Sequence, residues 1–413
     1  MLHGGISRFT LGNWLSKDEN MLKILLVTNL FPNQHEPTRG IFTEQIVDNL
    51  KLDHDVQVMA PTPWFPKRLA GVFNRKHTIL PHKTTHKGTT VYHPSYLVIP
   101  KIARWSYGIF FFLGIFNTLR KIKKEFNPDV INVHWMYPDA YGTVLAAKLL
   151  NIPVVTHSLG CDINEFANYP SRRFFIKKAL QRADFNISVS EELKLKTIEL
   201  GSKADKSAAI MNGVNSQLFY PQNAQSLRNE LDLPLDKQLL LFAGNFNIEK
   251  GLIVLLEAFA KVHDSFSDVL LVVVGSGPLE SQIFAAVNEL GIQDKVIFKG
   301  RVSHDQIPRY LSAVDFLCLP SLREGCPNIV LESLSSGTPV LSSRVGAVPE
   351  MLASQSQNLG LMASPGDAHD FSRIISQALD MDWSKPLNFT WMSWKESADE
   401  IGAVLQKVAN KAA

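Results

Sequence analysis

Cysteine is scarce in this chain: Cys161, Cys318 and Cys326 are the only three among 413 residues. Their odd number and wide spacing exclude a disulfide framework and a cysteine-rich metal site. A reducing compartment is the expectation, and the cytoplasm is the natural one. Long hydrophobic runs are missing as well. The longest apolar stretch, Trp105 to Phe116, falls short of the roughly 20 residues needed to cross a bilayer. The first 20 residues contain no apolar core of a signal peptide, and "MLKILLVTNLF" from Met21 reads as a first strand after an optional extension, with Met21 a candidate start. Apolar content of 45% beside charged content of 20% excludes a disordered chain and fits a globular one.

What is present is length enough for two cores. Short runs rich in Val, Ile and Leu recur with helix-length spacers: "KILLVTNLF", "DVQVMAP", "DVINVHW", "PVVTHS" and "FNISVS" in the first half. The second half repeats the scheme with "QLLLFAG", "DVLLVVVGSG", "KVIFKG", "DFLCLPS" and "PVLSS". Such alternation predicts parallel strands with helical crossovers, an α/β fold of two doubly wound, Rossmann-like halves. The linker is expected in "IMNGVNSQLFYPQN", Ile210 to Asn223, where Asn, Gly and Pro punctuate the chain. The expected domains are residues 21–205 and 206–390, with 391–413 a closing helix across both, opened by the capping box of Ser393 and Glu396. Ligands of open parallel sheets bind beyond the carboxyl ends of the strands, so a cleft between two facing sheets is the expected place for chemistry.

Charge is unevenly spread. Residues 21–205 carry 24 Lys and Arg against 15 Asp and Glu, and residues 206–413 carry 16 against 22. The positives gather in "RKIKKEF" and "RRFFIKK", beside the apolar run from Trp105. A core-packed helix with a solvated basic end is the first expectation for that run, and a peripheral contact with anionic membrane lipid the alternative. The same surface could attract an acidic polysaccharide or a lipid diphosphate. Nucleic acid is not expected, because the positives lack interleaved aromatic or recognition-helix patterning.

The stretch "REGCPNIVLESLSSGTPV", Arg323 to Val340, places Glu324 at the mouth of an expected helix and Glu332 inside its apolar run. Carboxylates so placed are costly unless bound or paired. If Cys326 and Pro327 open the helix, the N–H groups of its first turn form an anion site, and Pro327 suits that turn. Glu332, one turn beyond Asn328, then approaches the same ligand. A diphosphate with hydroxyl-bearing groups at both ends satisfies this arrangement, and a nucleotide-sugar has that form. The opposing reading is an ion-paired or solvated helix end, with Arg323 as the partner.

"PSLREGCPNIVLESLSSGTPVLSSRVGAVPE" resembles the retaining group 1 glycosyltransferases (family 4) of the GT-B fold, with Glu, seven residues, Glu, then Gly-x-Pro-Val. The likeness continues through "FAGNFNIEKG", "VVVGSGP", "VIFKGRVSHDQIPRYLSAVDFLCLPS" and "IMNGVNSQLF", and more loosely through "GIFTEQIVDNL" and "THSLGCDIN" in the first half. The resemblance implies that Glu332 holds the ribose hydroxyls of the donor and that Glu324 holds hydroxyls of the transferred sugar. It implies that the amides of Gly325, Cys326, Pro327 and Asn328 lie at the sugar and diphosphate, with Arg301 and Val302 on the donor side too.

Departure of a nucleoside diphosphate builds negative charge, which a positioned cation stabilises. Lys250 is the candidate. The family's usual Arg is replaced by Asn245, beside Gly244, and Arg301 or Arg344 is an expected substitute. Gly275 and Gly277 in "GSGP" form a tight turn near the nucleotide, since Glu280 stands where a dinucleotide fingerprint needs a third glycine. His157 is expected to hydrogen-bond the transferred sugar, or to stabilise positive charge at its anomeric carbon through its backbone carbonyl. His134 is a second candidate, Asp162 lies behind on the acceptor side, and Gly40 brings amides near phosphate or acceptor. No cofactor is called for, and no metal: Asp53-His54-Asp55, before an expected edge strand, and Asp380-Met381-Asp382 read as solvated turns.

The reaction the resemblance implies is sugar transfer from a UDP- or GDP-linked donor to a hydroxyl of a glycan or lipid-linked acceptor, with retention. It suits cell-surface polysaccharide or glycolipid synthesis, in the cytoplasm or on the inner face of the plasma membrane. The departing phosphate oxygen takes the acceptor proton, so no protein nucleophile is needed. A catalytically inactive nucleotide-sugar-binding protein and a sugar-nucleotide epimerase are the alternatives.

Overall fold

A computed structural model describes residues 21–65, 80–99, 104–263, 265–355, 357–383 and 387–412. The extension before Met21 lies outside these residues. Two compact units result. The first runs to Ser188 and takes in Lys194–Ile210 and the chain from Ala398; the second holds Val189–Leu193 and Met211–Ser397. The main division therefore falls at Ile210 and Met211, five residues beyond the expected one, and the last helix contributes residues to both units.

The first unit contains β1 (Lys23–Val27), α1 (Ile41–Leu50), β2 (Asp55–Met59), β3 (Thr62–Trp64), β4 (Lys83–His86), β5 (Thr89–Tyr92), β6 (Ser95–Leu97) and α2 (Tyr107–Glu125). Then come β7 (Val130–His134), α3 (Tyr141–Leu149), β8 (Val154–Ser158), α4 (Cys161–Asn164), α5 (Pro170–Arg182), β9 (Phe185–Ser188), α6 (Glu191–Glu199) and β10 (Ser207–Ala209). Eight strands form one sheet in the order β10-β9-β8-β7-β1-β2-β5-β4, and β3 pairs with β6 apart from it. Every pairing in the large sheet is parallel except β4 with β5. Central strands are covered on both faces and read as continuous apolar runs; Ile24, Leu25, Leu26 and Val27 are fully buried. The expected edge strand after Asp53 is a correction: β2 is interior, between β1 and β5, because the chain adds "TTVY" beyond it.

The second unit contains α7 (Ala224–Glu230), β11 (Gln238–Ala243), α8 (Leu252–His263), β12 (Val269–Val274), α9 (Glu280–Glu289), β13 (Val296–Gly300), α10 (Ile307–Ala313), β14 (Phe316–Leu319) and α11 (Asn328–Ser335). It continues with β15 (Val340–Ser343), α12 (Val348–Leu352), β16 (Gly360–Ala363), α13 (Ala368–Asp380) and the start of α14 (Trp394–Ala412). Its strands run parallel in the order β13-β12-β11-β14-β15-β16. Apolar clusters lie on the two faces of this sheet, one around Leu241, Leu317 and Leu331, the other around Phe242, Phe259 and Phe371.

Each sheet has one place where strand order reverses: between β1 and β7 in the first unit and between β11 and β14 in the second. Connections from two neighbouring strands there leave in opposite directions and open a crevice at the carboxyl ends. Both places carry the residues of interest.

Candidate active site

In the second unit the loop after β11 is bent by Asn247, whose side chain accepts from the Lys250 amide at 3.1 Å. Gly251 follows with φ of 64°, and a Cβ there would stand 2.1 Å from the Pro320 carbonyl oxygen. Only a glycine allows this approach. It brings the β11 loop onto the β14 loop: the Leu322 amide donates to the Glu249 carbonyl at 2.8 Å, and Arg323 pairs with the Glu249 carboxylate at 3.0 Å. One residue further, Lys250 Nζ meets Glu324 Oε1 at 2.6 Å. The Ser321 hydroxyl donates to that same oxygen at 2.7 Å. Arg323 therefore belongs to Glu249, not to the two glutamates flanking the helix, and Lys250 is held rather than loose.

Pro327 is the N-cap of α11 and Asn328 its first residue, one position later than a helix opened by Cys326 and Pro327. The orphan N–H groups of the first turn thus lie between Glu324 before the helix and Glu332 within it. Glu332 Oε1 is 3.0 Å from His304 Nε2, and the side chains of Glu324 and Glu332 retain 13% and 12% of their accessibility, so both are largely covered yet reachable. The hydrogen bond to Glu332, against some burial, raises the His304 pKa above its ordinary value. His304 also sets its ring edge-on to Phe219 at 5.5 Å. The Asn328 side chain accepts from Asn212 at 2.7 Å. Burial pushes the Cys326 thiol up to about 12, so it stays protonated at neutral pH.

The neighbouring loops are close-packed backbone. A Cβ on Gly275 would fall 1.9 Å from the Gly244 carbonyl oxygen, and one on Gly277 would fall 2.6 Å from that of Phe246. Gly244, Asn245, Gly275 and Gly277 thus share one rim, joined to β13 by the Gly275 amide bonding the Gly300 carbonyl at 2.8 Å. Arg301 follows that carbonyl directly, and Val302 packs against the unit's core. On the other flank the Ala347 amide donates to Gly325 at 2.8 Å, which sets exposed Arg344 on the adjoining loop.

In the first unit Gly40 caps α1 with φ of 66°, and a Cβ there would stand 2.2 Å from the Leu30 carbonyl oxygen. His134, the last residue of β7, is in register with His157, the last but one of β8; both are buried, with ring centroids 4.6 Å apart and edge-on. His134 contacts Asn132 at 2.8 Å and Thr43 at 3.4 Å. Neither ring nitrogen of His157 has a hydrogen-bond partner among the described residues. Burial drives the His157 pKa down to about 3 and the His134 pKa well below its ordinary value, so both rings are neutral. The His157 carbonyl accepts from the Trp135 amide at 3.1 Å and keeps a second lone pair, so carbonyl and imidazole both retain hydrogen-bonding capacity. Asp162 turns inward: its carboxyl accepts from the amides of Met136 at 3.0 Å, Leu159 at 3.0 Å and Gly160 at 2.8 Å. Burial raises its pKa to about 6 despite these bonds. Its place is behind the loop that carries His157.

Two residues escaped the sequence reading. Asp139, fully buried at the first unit's reversal point, accepts from the Asn29 amide at 2.7 Å and the Asn29 side chain at 2.8 Å. Burial lifts its pKa to about 8. His304 carries no local signal that it reaches Glu332. Of the residues expected in solvated turns, Asp53 lies in the turn before β2, whereas Asp55 opens β2 and Asp380 closes α13, so these two belong to a strand and a helix instead.

Two Rossmann-like units, each with a parallel sheet and a reversal point at its carboxyl ends, define the class, a GT-B protein. Sucrose-phosphate synthase from Thermosynechococcus elongatus superposes with a TM-score of 0.69 at 20% identity, over 94% of this chain and 97% of that one. Anabaena HepE, solved with UDP, superposes with a TM-score of 0.66 at 17% identity, over 95% and 99%. The model of glycosyl transferases group 1 matches residues 223–390, and that of glycosyltransferase family 4 matches residues 44–218. This chain belongs to the group 1 glycosyltransferases of family 4 and is a transferase. A Bacillus subtilis protein named for glycosyl transfer in teichuronic acid biosynthesis is 29% identical over 86% of this chain and 89% of its own length. An amylovoran biosynthesis glycosyltransferase of Erwinia amylovora is 24% identical over 86% and 90%.

Proposed function

We propose that this chain transfers a sugar from a UDP-linked donor to a hydroxyl of a glycan or lipid-linked acceptor, with retention at the anomeric carbon. Synthesis of a cell-surface polysaccharide or glycolipid at the inner face of the plasma membrane is the setting. The carrying observation is the pair Glu324 and Glu332 on either side of the α11 N-terminus, with Lys250 2.6 Å from Glu324.

Glu332 accepts the ribose hydroxyls. Glu324 accepts hydroxyls of the transferred sugar, and the α11 amides with Lys250 face the diphosphate. The bond from the anomeric carbon to the β-phosphate oxygen breaks, and a bond from the acceptor oxygen forms on the same face. The acceptor proton passes to the departing phosphate oxygen, so nucleoside diphosphate is the second product. Charge grows on that phosphate, where a fixed cation and aligned amides count most. Arg344 or Arg301 supplies the second cation that Asn245 lacks, and neutral His157 offers its imidazole to a sugar hydroxyl. This arrangement serves the diphosphate with protein cations, without a metal or cofactor. The UDP and UDP-glucose complexes of HepE and the polysaccharide names of the relatives support the choice of donor and setting.

A thermal-shift series with UDP, GDP and their sugars tests the donor, since a ligand bound to the folded state raises its stability by mass action. A UDP compound raising the melting temperature most is the expected result; GDP compounds doing so would overturn the base assignment. Proton NMR of donor with and without acceptor tests the chemistry. An α-linked donor should give an α-linked product, whereas a changed sugar formed from donor alone marks an epimerase.

A further inference from the structure

The first unit carries a surface that the donor reading does not use. Helix α3 packs against both α2 and α5. One face of α2 is core, with Phe111, Ile115, Leu119 and Ile122 fully buried. Its other face is apolar too, and Leu113 is 59% exposed there. Leu149 at the end of α3 is 64% exposed and Phe174 on α5 is 55% exposed, with Trp105 and Ile109 exposed nearby. Between α2 and α3 lies a groove of about 560 Å³ lined by Phe112, Val144, Leu145 and Leu149, with Lys148 and Arg182 at its rim. Scattered apolar residues need no explanation, but a gathered patch does.

Charge says what covers it. Helix α5 holds Arg172, Arg173, Lys177, Lys178 and Arg182 and no acidic residue. Counting α2 and α3 as well, the helices hold ten Lys and Arg against Glu125; Lys148 is paired with Asp184 just beyond α5 at 2.8 Å, and the excess stays strongly positive. Contrary to the expectation from sequence, the cations are interleaved with rings: Arg172 lies over Phe166 at 4.4 Å and over Tyr169 at 4.6 Å, and Lys178 over Phe174 at 5.7 Å. A second copy of this chain docking symmetrically would set like charge against like. A bilayer with anionic lipid satisfies both features, taking apolar side chains into the headgroup boundary while Lys and Arg reach its phosphates.

We infer that the α2–α3–α5 face docks on anionic bilayer surface, with Leu113, Leu149 and Phe174 entering the headgroup region and the α5 cations beside them. The inference deepens the membrane setting of the proposed function, yet it is measured without donor.

The test is co-sedimentation of the full chain with vesicles of phosphatidylcholine alone or mixed with phosphatidylglycerol. Partitioning onto the anionic vesicles should be about tenfold stronger and should weaken with salt, as screened charge requires. Arg173→Glu with Lys177→Glu should lower it about tenfold, and so should Leu113→Ser with Leu149→Ser and Phe174→Ser, given the area dependence of interfacial binding. Lys261→Glu, on α8 of the second unit, should change nothing. Circular dichroism and the UDP-induced thermal shift should be unaltered in all of them, which separates failure here from failure of the donor site. Equal partitioning onto both vesicle types, no partitioning, or serine variants that bind like the wild type would overturn the inference. Single-stranded nucleic acid bound in place of vesicles, and lost in the same variants, would overturn it equally.

Discussion

Lys250 Nζ stands 2.6 Å from Glu324 Oε1, although the two residues are 74 positions apart. The pair joins the loops after β11 and β14, where strand order reverses. With diphosphate bound, the lysine has a stronger anionic partner than one carboxylate. Lys250→Ala is expected to lower kcat/KM by about a hundredfold or more, the usual cost of losing one fixed donor at developing charge. Glu324→Gln should lower kcat more than donor affinity. The pair is largely covered, with 29% of the Lys250 and 13% of the Glu324 side chain accessible, so Lys250→Ala leaves a covered carboxylate without its cation and should lower the melting temperature more than Glu324→Gln does. Steady-state kinetics beside calorimetry checks both.

His304 and Glu332 should give stability a pH dependence. The hydrogen bond that His304 donates to Glu332 raises the His304 pKa in the folded state. The pair's contribution is then fully present below the unfolded value of about 6.5 and is lost as pH rises through the higher folded value. His304→Ala should therefore lower the melting temperature more at acidic than at alkaline pH. A difference that grew with pH would contradict the pairing.

Asp139 works in the same direction for another reason. Burial holds its pKa near 8, so the folded chain keeps a proton that the unfolded chain releases above its ordinary carboxyl value. Stability is expected to fall as pH rises from about 4 to 8, and Asp139→Asn should flatten part of that slope in melting curves. Asp139→Ala should cost about 1–3 kcal/mol, because the partly buried donors of Asn29 lose their acceptor.

Gly346 tests the backbone of the donor site without touching a charged group. Its φ is 52°, and a Cβ there would stand 2.3 Å from the Gly325 carbonyl oxygen and 2.7 Å from that of Glu324. Gly346→Ala should displace the segment that carries Glu324. The expected result is a rise in donor KM of about tenfold and a stability loss of about 1–3 kcal/mol, the range for strained backbone positions. Donor titration and thermal melts read the two effects separately.

Much of the fold was legible from periodicity. Runs such as "KILLV" and "LLLFA" alternate with helix-length segments, and buried parallel strands demand that pattern. The spacing of Glu324 and Glu332 around α11 was legible too, because helix geometry converts a separation in sequence into a position in space. The interior place of β2 was not, since a strand's neighbours depend on which later segment pairs with it. Nor was the dual character of α2: its buried stripe and its exposed Leu113 carry the same kind of side chain, and composition cannot tell them apart.

Local pattern alone determined the strands, the helix mouth and the glycines that loops need, because those follow from backbone sterics and side-chain period over a few residues. Which donor meets which carboxyl group was decided only on folding. Lys250 with Glu324, His304 with Glu332 and Asn29 with Asp139 lie 74, 28 and 110 residues apart. They meet because sheet order sets separate loops side by side, and that order is a property of all the strand pairings together.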